Sequence, residues 1–132
     1  MKSMFVSGLA AVSVWCTLAA APWPSWRGPT QDNVAPDAGY PLEFGAAKNK
    51  RWRLALPEPG NSSPVVWGNR VFVTQALEDG KRRTLMCVDR ATGKLLWQEG
   101  VTYDGQDPRH KSNPHCSASP VTDGERVVAS FA

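Results

Sequence analysis

Three short apolar runs decide most of what this sequence can fold into. Val71-Phe72-Val73, Leu85-Met86-Cys87-Val88 and Leu95-Leu96-Trp97 are unbroken by polar residues, and each is bounded by a turn signal. A strand with one wet face alternates apolar and polar residues, whereas an unbroken run belongs to a strand covered on both faces. No window sustains the period of an amphipathic helix. Gly and Pro number 11 each, one residue in six of the 132, which long helices do not tolerate. The sequence therefore predicts an all-β chain. A single antiparallel sheet cannot cover both of its own faces, so these strands require a further sheet on either side.

The turns place the strands. Gly68-Asn69 is a two-residue hairpin signal between residues 64–67 and 70–75. Glu78-Asp79-Gly80-Lys81 precedes a strand at residues 84–89, and Arg90-Ala91-Thr92-Gly93 precedes one at residues 95–101. Residues 51–56 alternate polar and apolar side chains and predict another strand. An internal repeat runs through this arrangement. Ser63-Pro64-Val65-Val66-Trp67-Gly68-Asn69-Arg70-Val71 returns 56 residues later as Ser119-Pro120-Val121-Thr122-Asp123-Gly124-Glu125-Arg126-Val127. In both copies a Gly-containing turn joins two strands. Such a period fits β-propeller blades of roughly 40–50 residues carrying one insertion. In a propeller, neighbouring sheets stack radially and cover both faces of each blade. The insertion is residues 102–116, polar and Pro-containing, predicted to be a long surface loop.

Between the two copies lies Val88-Asp89-Arg90-Ala91-Thr92-Gly93-Lys94-Leu95-Leu96-Trp97. Asp89 can accept hydrogen bonds from the N–H groups of the turn that follows, and Gly93 supplies the positive φ that closes it. The Asp-x-x-Thr-Gly-x-x-x-Trp spacing of Asp89, Thr92, Gly93 and Trp97 resembles the repeat signature of the pyrroloquinoline-quinone-type β-propellers. The resemblance covers most of residues 23–131. It implies that Trp97 lies in an outer strand and docks between adjacent blades. It also implies that Trp52 is the same tryptophan of another blade, in a closing strand at residues 50–56. Pro64, Gly68, Pro120 and Gly124 are the repeat's turn residues. On this reading residues 22–49 are an N-terminal strap and residues 50–132 are propeller: the closing strand, a complete blade at 63–101, the inserted loop at 102–116, and the start of the next blade at 117–132. Trp23-Pro24-Ser25-Trp26-Arg27-Gly28-Pro29 resembles the opening of exported bacterial members, and reads as a surface strap packed by two indoles.

Residues 1–21 read as a secretory signal peptide. Lys2 provides the positive start, residues 4–18 an apolar core, and Ala19-Ala20-Ala21 small residues for a peptidase. The apolar core is about 15 residues, short of the roughly 20 that span a bilayer, so no stable membrane span is expected after cleavage. The alternative is an uncleaved anchor. Pro22 disfavours a cut after Ala21 and places it after Ala19 or Ala20. Ser13-Val14-Trp15 before Cys16 is unlike a lipidation signal. Export to a periplasmic or extracellular location makes a disulfide between Cys87 and Cys116 possible without requiring one. His115-Cys116 are adjacent, poor geometry for two ligands of one metal.

Three functional readings follow. A net charge of +3 with no basic run beyond three residues argues against nucleic acid. The family includes exported scaffolds that present loops to protein partners, and that is the primary expectation. The resemblance also admits the N-terminal part of a quinone-dependent oxidoreductase, whose members hold pyrroloquinoline quinone and calcium in a central funnel. Here Asn113, His115 and Ser117 are the candidate funnel residues, with a hydrogen-bonded loop as the plainer reading. Asp79, Asp104 and Asp107 read as solvated loop charges. The third reading is a carbohydrate- or polyanion-binding module built on Trp23, Trp26 and Arg27. No nucleophile elbow or phosphate loop is present in the sequence, so no catalytic residue, cofactor ligand or metal ligand is assigned. A family propeller needs several more blades, so the chain is expected to be a piece of a longer protein whose partners are those blades. The rival is a ring assembled from several short chains.

Overall fold

The turns end the strands where the sequence changes character. In the computed structural model, which describes residues 21–36, 38–105 and 109–131, four strands form one antiparallel sheet in sequential order. They are β1 (Val65–Trp67), β2 (Arg70–Leu77), β3 (Arg82–Asp89) and β4 (Leu95–Thr102). A second, two-stranded sheet pairs β5 (Val121–Thr122) with β6 (Val127–Val128). The molecule is thus all-β among its described residues, with one four-stranded blade and the opening hairpin of another sheet. No helix there is long and apolar enough to cross a membrane. Apart from Ala21, the signal peptide assigned to residues 1–21 lies outside the described residues.

Register aligns the core. Val65 pairs with Phe72, Phe72 with Cys87, and Cys87 with Trp97. Directly opposed residues share a sheet face, so these four side chains form one row across the blade. Val65, Phe72 and Cys87 are buried, with Leu85, Trp97 and Val127 packed against them. Phe72 and Trp97 meet with ring centroids 6.0 Å apart at 46°, within the range of favourable tilted aromatic pairs. Val127 comes from β6, so the second sheet covers this face of the first.

Burial differs along the sheet. The interiors of β2 and β3 are covered, as unbroken apolar runs require. β4 departs from that expectation. Leu95 and Leu96 are 47% and 51% exposed, although Leu95-Leu96-Trp97 is as apolar as the other runs. The reason is position: β4 is an edge strand, and nothing among the described residues packs on its outer part.

The chain before the blade is tied to it in two places. Trp23 and Val66 exchange both backbone hydrogen bonds at 2.8 Å, so the strap extends the sheet beside β1. The Pro24 carbonyl then accepts from Thr122 N–H at 2.9 Å, linking the strap to β5. Further along, residues 58–62 run beside β2 where short β1 leaves it unpaired. The Glu58 carbonyl accepts from Gln75 Nε2, and Ser62 Oγ accepts from Thr74 N–H. Residues 50–56 join no strand ladder: Trp52 and Leu54 are half-buried, but Leu56 is exposed, so the predicted strand does not form here.

Candidate functional site

The motif residues converge at one end of the blade. Asp89 Oδ1 accepts from Thr92 N–H and from Thr92 Oγ1, both at 2.7 Å. Asp89 Oδ2 accepts from Asn69 Nδ2 at 2.6 Å, which ties the β3–β4 turn to the β1–β2 turn. Those bonds, the Thr92 hydroxyl foremost, hold the Asp89 carboxyl below the usual carboxylate range. Gly93 closes the turn at φ +73°, and its N–H donates to the Asp89 carbonyl at 2.8 Å. The Trp52 indole lies on Gly93, where an added Cβ would stand 2.6 Å from the ring, and its Nε1 donates to the Arg90 carbonyl at 2.8 Å. Trp97 lies at the groove between the blade and the β5–β6 hairpin.

The two repeat copies touch. Ser63 N–H donates to Ser119 Oγ at 2.8 Å, across the full 56-residue offset. Pro120 is fully buried, while Pro64 and Gly68 are exposed. The Trp67 indole covers Gly124, leaving 2.4 Å for a Cβ there. Trp23 covers Gly28 in the same manner, with 2.7 Å. The strap is therefore packed by one indole rather than two, because Trp26 is 63% exposed. Arg27 is exposed as well.

The opposite end is built differently. Antiparallel connection puts the β2–β3 turn and the inserted loop at the same end of the sheet. There Asp79, Lys81, Arg83, Tyr103, Arg109, Lys111 and His115 line a cleft of about 520 Å³. Arg83 is 3% exposed; its Nε donates to the Gly80 carbonyl at 3.2 Å, and its guanidinium lies 4.2 Å above the Tyr103 ring centroid. The His115 ring rests on Gly80, where a Cβ would be 2.3 Å away. Its Nε2 stands 3.0 Å from an Arg109 terminal nitrogen and 3.7 Å from Asp79 Oδ1. Among the described lining residues, Lys81 and Lys111 stand beside Arg83, Arg109 and the Asp79 carboxylate.

Of the three candidate funnel residues only His115 reaches this cleft. Asn113 is exposed and its carbonyl accepts from Arg109; Ser117 Oγ donates to the Pro114 carbonyl. The set does not fit a calcium ion, which needs six to eight oxygens, because a guanidinium stands against the imidazole. No group of three or more His, Cys, Asp or Glu among the described residues could hold a metal ion. Cys87 and Cys116 are free thiols, both buried, and burial pushes both thiols up.

The repeat geometry agrees with a comparison of sequences. A profile of the PQQ-like repeat family described as outer membrane protein assembly factor BamB matches residues 45–132, two thirds of the chain. This chain belongs to that family. No curated protein and no solved structure matches it. Of the two motif tryptophans, Trp52 packs on the motif's Gly93 and Trp97 meets Phe72 in the core row. The cationic cleft escaped sequence reasoning. Its residues come from three separated stretches, and its only sequence signal was the run Lys81-Arg82-Arg83.

Proposed function

We propose that this chain is an exported β-propeller interaction module, a scaffold that acts by contact and carries no complete reaction of its own. One observation carries the reading. Apolar side chains that should be covered in a finished propeller are open on the blade and on its neighbouring hairpin: Leu95, Leu96 and Val101 on β4, and Val121 and Val128 beyond it. The partner that such a surface fits is a further blade of the same repeat type, whether from a longer chain or from another copy. The family's description as an assembly factor supports a role in presenting loops to proteins. Lys2, the apolar stretch at residues 4–18 and Ala19-Ala20-Ala21 support export.

Two measurements test this. Produced with its own N-terminus in a Gram-negative host, the chain should be recovered from the periplasm, beginning after Ala19 or Ala20. Recovery at full length from the cytoplasm overturns export. In sedimentation equilibrium the recovered chain should self-associate as concentration rises, and Leu95→Lys with Leu96→Glu should reduce that association. A monodisperse monomer with a cooperative melt overturns the interaction reading.

A further inference from the structure

The stretch that joins the strap to the blade carries a feature that stacking of blades does not require. Residues 43–49 close a short loop of their own. Gly45 and Lys48 exchange both backbone hydrogen bonds, at 3.0 and 3.3 Å, with Ala46 and Ala47 between them. The Asn49 side-chain amide donates to the Glu43 carbonyl at 2.8 Å, and Asn49 takes a left-handed φ of +57°, which asparagine tolerates. Lys48 pairs with Glu43. The loop is held by its own bonds, yet its apolar side chains touch little else: Leu42 is 99% exposed and Phe44 74%.

Charge sets this patch apart from the open face of β4. Glu43 is the only acidic residue in the sequence from 38 to 57, and Lys48 already neutralises it. Lys50, Arg51 and Arg53 remain, all exposed and none paired with a described carboxylate. Phe44, Lys50, Arg51 and half-buried Trp52 line one shallow hollow, so the exposed ring and two of the cations share a side of the molecule. Trp52, bonded to the Arg90 carbonyl and resting on Gly93, ties that side to the blade. The open leucines of β4 have one cation and one anion near them, Lys94 and Glu99, which suits a neutral sheet. Exposed apolar tips beside an excess of cations suit an anionic surface with an apolar interior. A stable protein contact needs roughly 800 Å² from each partner, more than so short a loop offers. A bilayer needs only a few inserted side chains and cations beside them.

We propose that residues 42–53 dock on an anionic lipid bilayer. Leu42 and Phe44 enter the headgroup boundary, and Lys50, Arg51 and Arg53 lie against the lipid phosphates. The contact is peripheral and spans nothing. It uses none of the apolar surface of β4, so it stands apart from the interaction-module reading.

The test is flotation of the full chain with vesicles of phosphatidylcholine alone and of phosphatidylcholine mixed with phosphatidylglycerol at roughly two to one. Residues 4–18 are common to every variant and have one cation beside them, Lys2, so the ratio of the two partition coefficients reads the docking site. That ratio should stand well above one and fall as added salt shortens the screening length. Lys50→Gln, Arg51→Gln and Arg53→Gln together should lower it by about fivefold per cation. Leu42→Ser with Phe44→Ser should weaken binding to the anionic vesicles about tenfold or more. Both side chains are exposed, so the fold should survive. Lys81→Gln, Arg82→Gln and Lys111→Gln remove as many exposed cations elsewhere and should change the ratio by less than about twofold. The proposal is overturned if the ratio for the parent chain is near one, or if the two cation triples lower it equally, which would mean diffuse attraction to a basic protein. It is also overturned if Leu42→Ser with Phe44→Ser binds as tightly as the parent, which would assign the cations to an acidic protein partner.

Discussion

The two ends of the blade use glycine, aromatic rings and charge for opposite purposes. At the motif end, Asp89, Thr92 and Asn69 saturate one another's hydrogen bonds, and Trp52 seals the turn by stacking on Gly93. These bonds tie the two turns together at one corner of the blade. At the insertion end the ring on the glycine is His115, the stacked aromatic is Tyr103, and the charges point into a cleft. The same local devices close a turn in one place and frame an opening in the other. The difference lies in what holds the ring. Trp52 is fixed by its bond to the Arg90 carbonyl. His115 stands between Arg109 and Asp79, both exposed.

Matched substitutions at the two glycines turn that contrast into numbers. Gly93→Ala should have the largest effect. Its φ of +73° disfavours any L side chain by about 1–2 kcal/mol, and the new Cβ would meet the Trp52 ring at 2.6 Å. Displacing a hydrogen-bonded indole adds an overpacking cost, for a total of about 3 kcal/mol. Thermal or denaturant unfolding should register that loss. Gly80→Ala faces a similar φ of +82° and an even closer ring, His115 at 2.3 Å. Its expected cost is lower, about 1–2 kcal/mol, because the imidazole can yield with its loop. Equal destabilisation by the two variants would show that the insertion end is as rigid as the motif end.

The same contrast explains what could be read from the sequence. The motif end is local: Asp89, Thr92 and Gly93 span five residues, and a turn's chemistry is decided by its own side chains. The strands of the blade were legible for the same reason, since Gly68-Asn69 and the turns at 78–81 and 90–93 punctuate clear apolar runs. What depends on distant partners was not legible. The exposure of Leu95 and Leu96 is set by what lies beyond the edge of β4. The pairing of Trp23 with Val66 needs the strap to return across 43 positions with no periodic pattern to announce it. The cleft needs residues 109–115 to fold back onto the β2–β3 turn, and a polar loop carries no hydrophobic period that fixes where it goes.

The smallest effect expected is at Asp89, and it separates the two ends by pH rather than by packing. The carboxylate is stabilised first by the Thr92 hydroxyl and then by the Thr92 N–H; burial opposes them, and Ala91 and Asn69 add less. Its folded pKa is therefore below its unfolded one. Its contribution to stability is complete above the ordinary aspartate range and is lost as pH falls through the lowered folded value. Asp89→Asn keeps an acceptor for Thr92 but removes the charge, and the amide must also reorient to receive Asn69. Near neutral pH the variant should unfold slightly more easily than the parent chain. On acidification below that lowered value the two should converge. Asp123 and Asp32, also held low by turn hydrogen bonds, keep part of the acid sensitivity in both proteins. An unchanged difference between them across the acid range would mean that the Asp89 contacts act through shape alone, and that the rigidity of the motif end owes nothing to its charge.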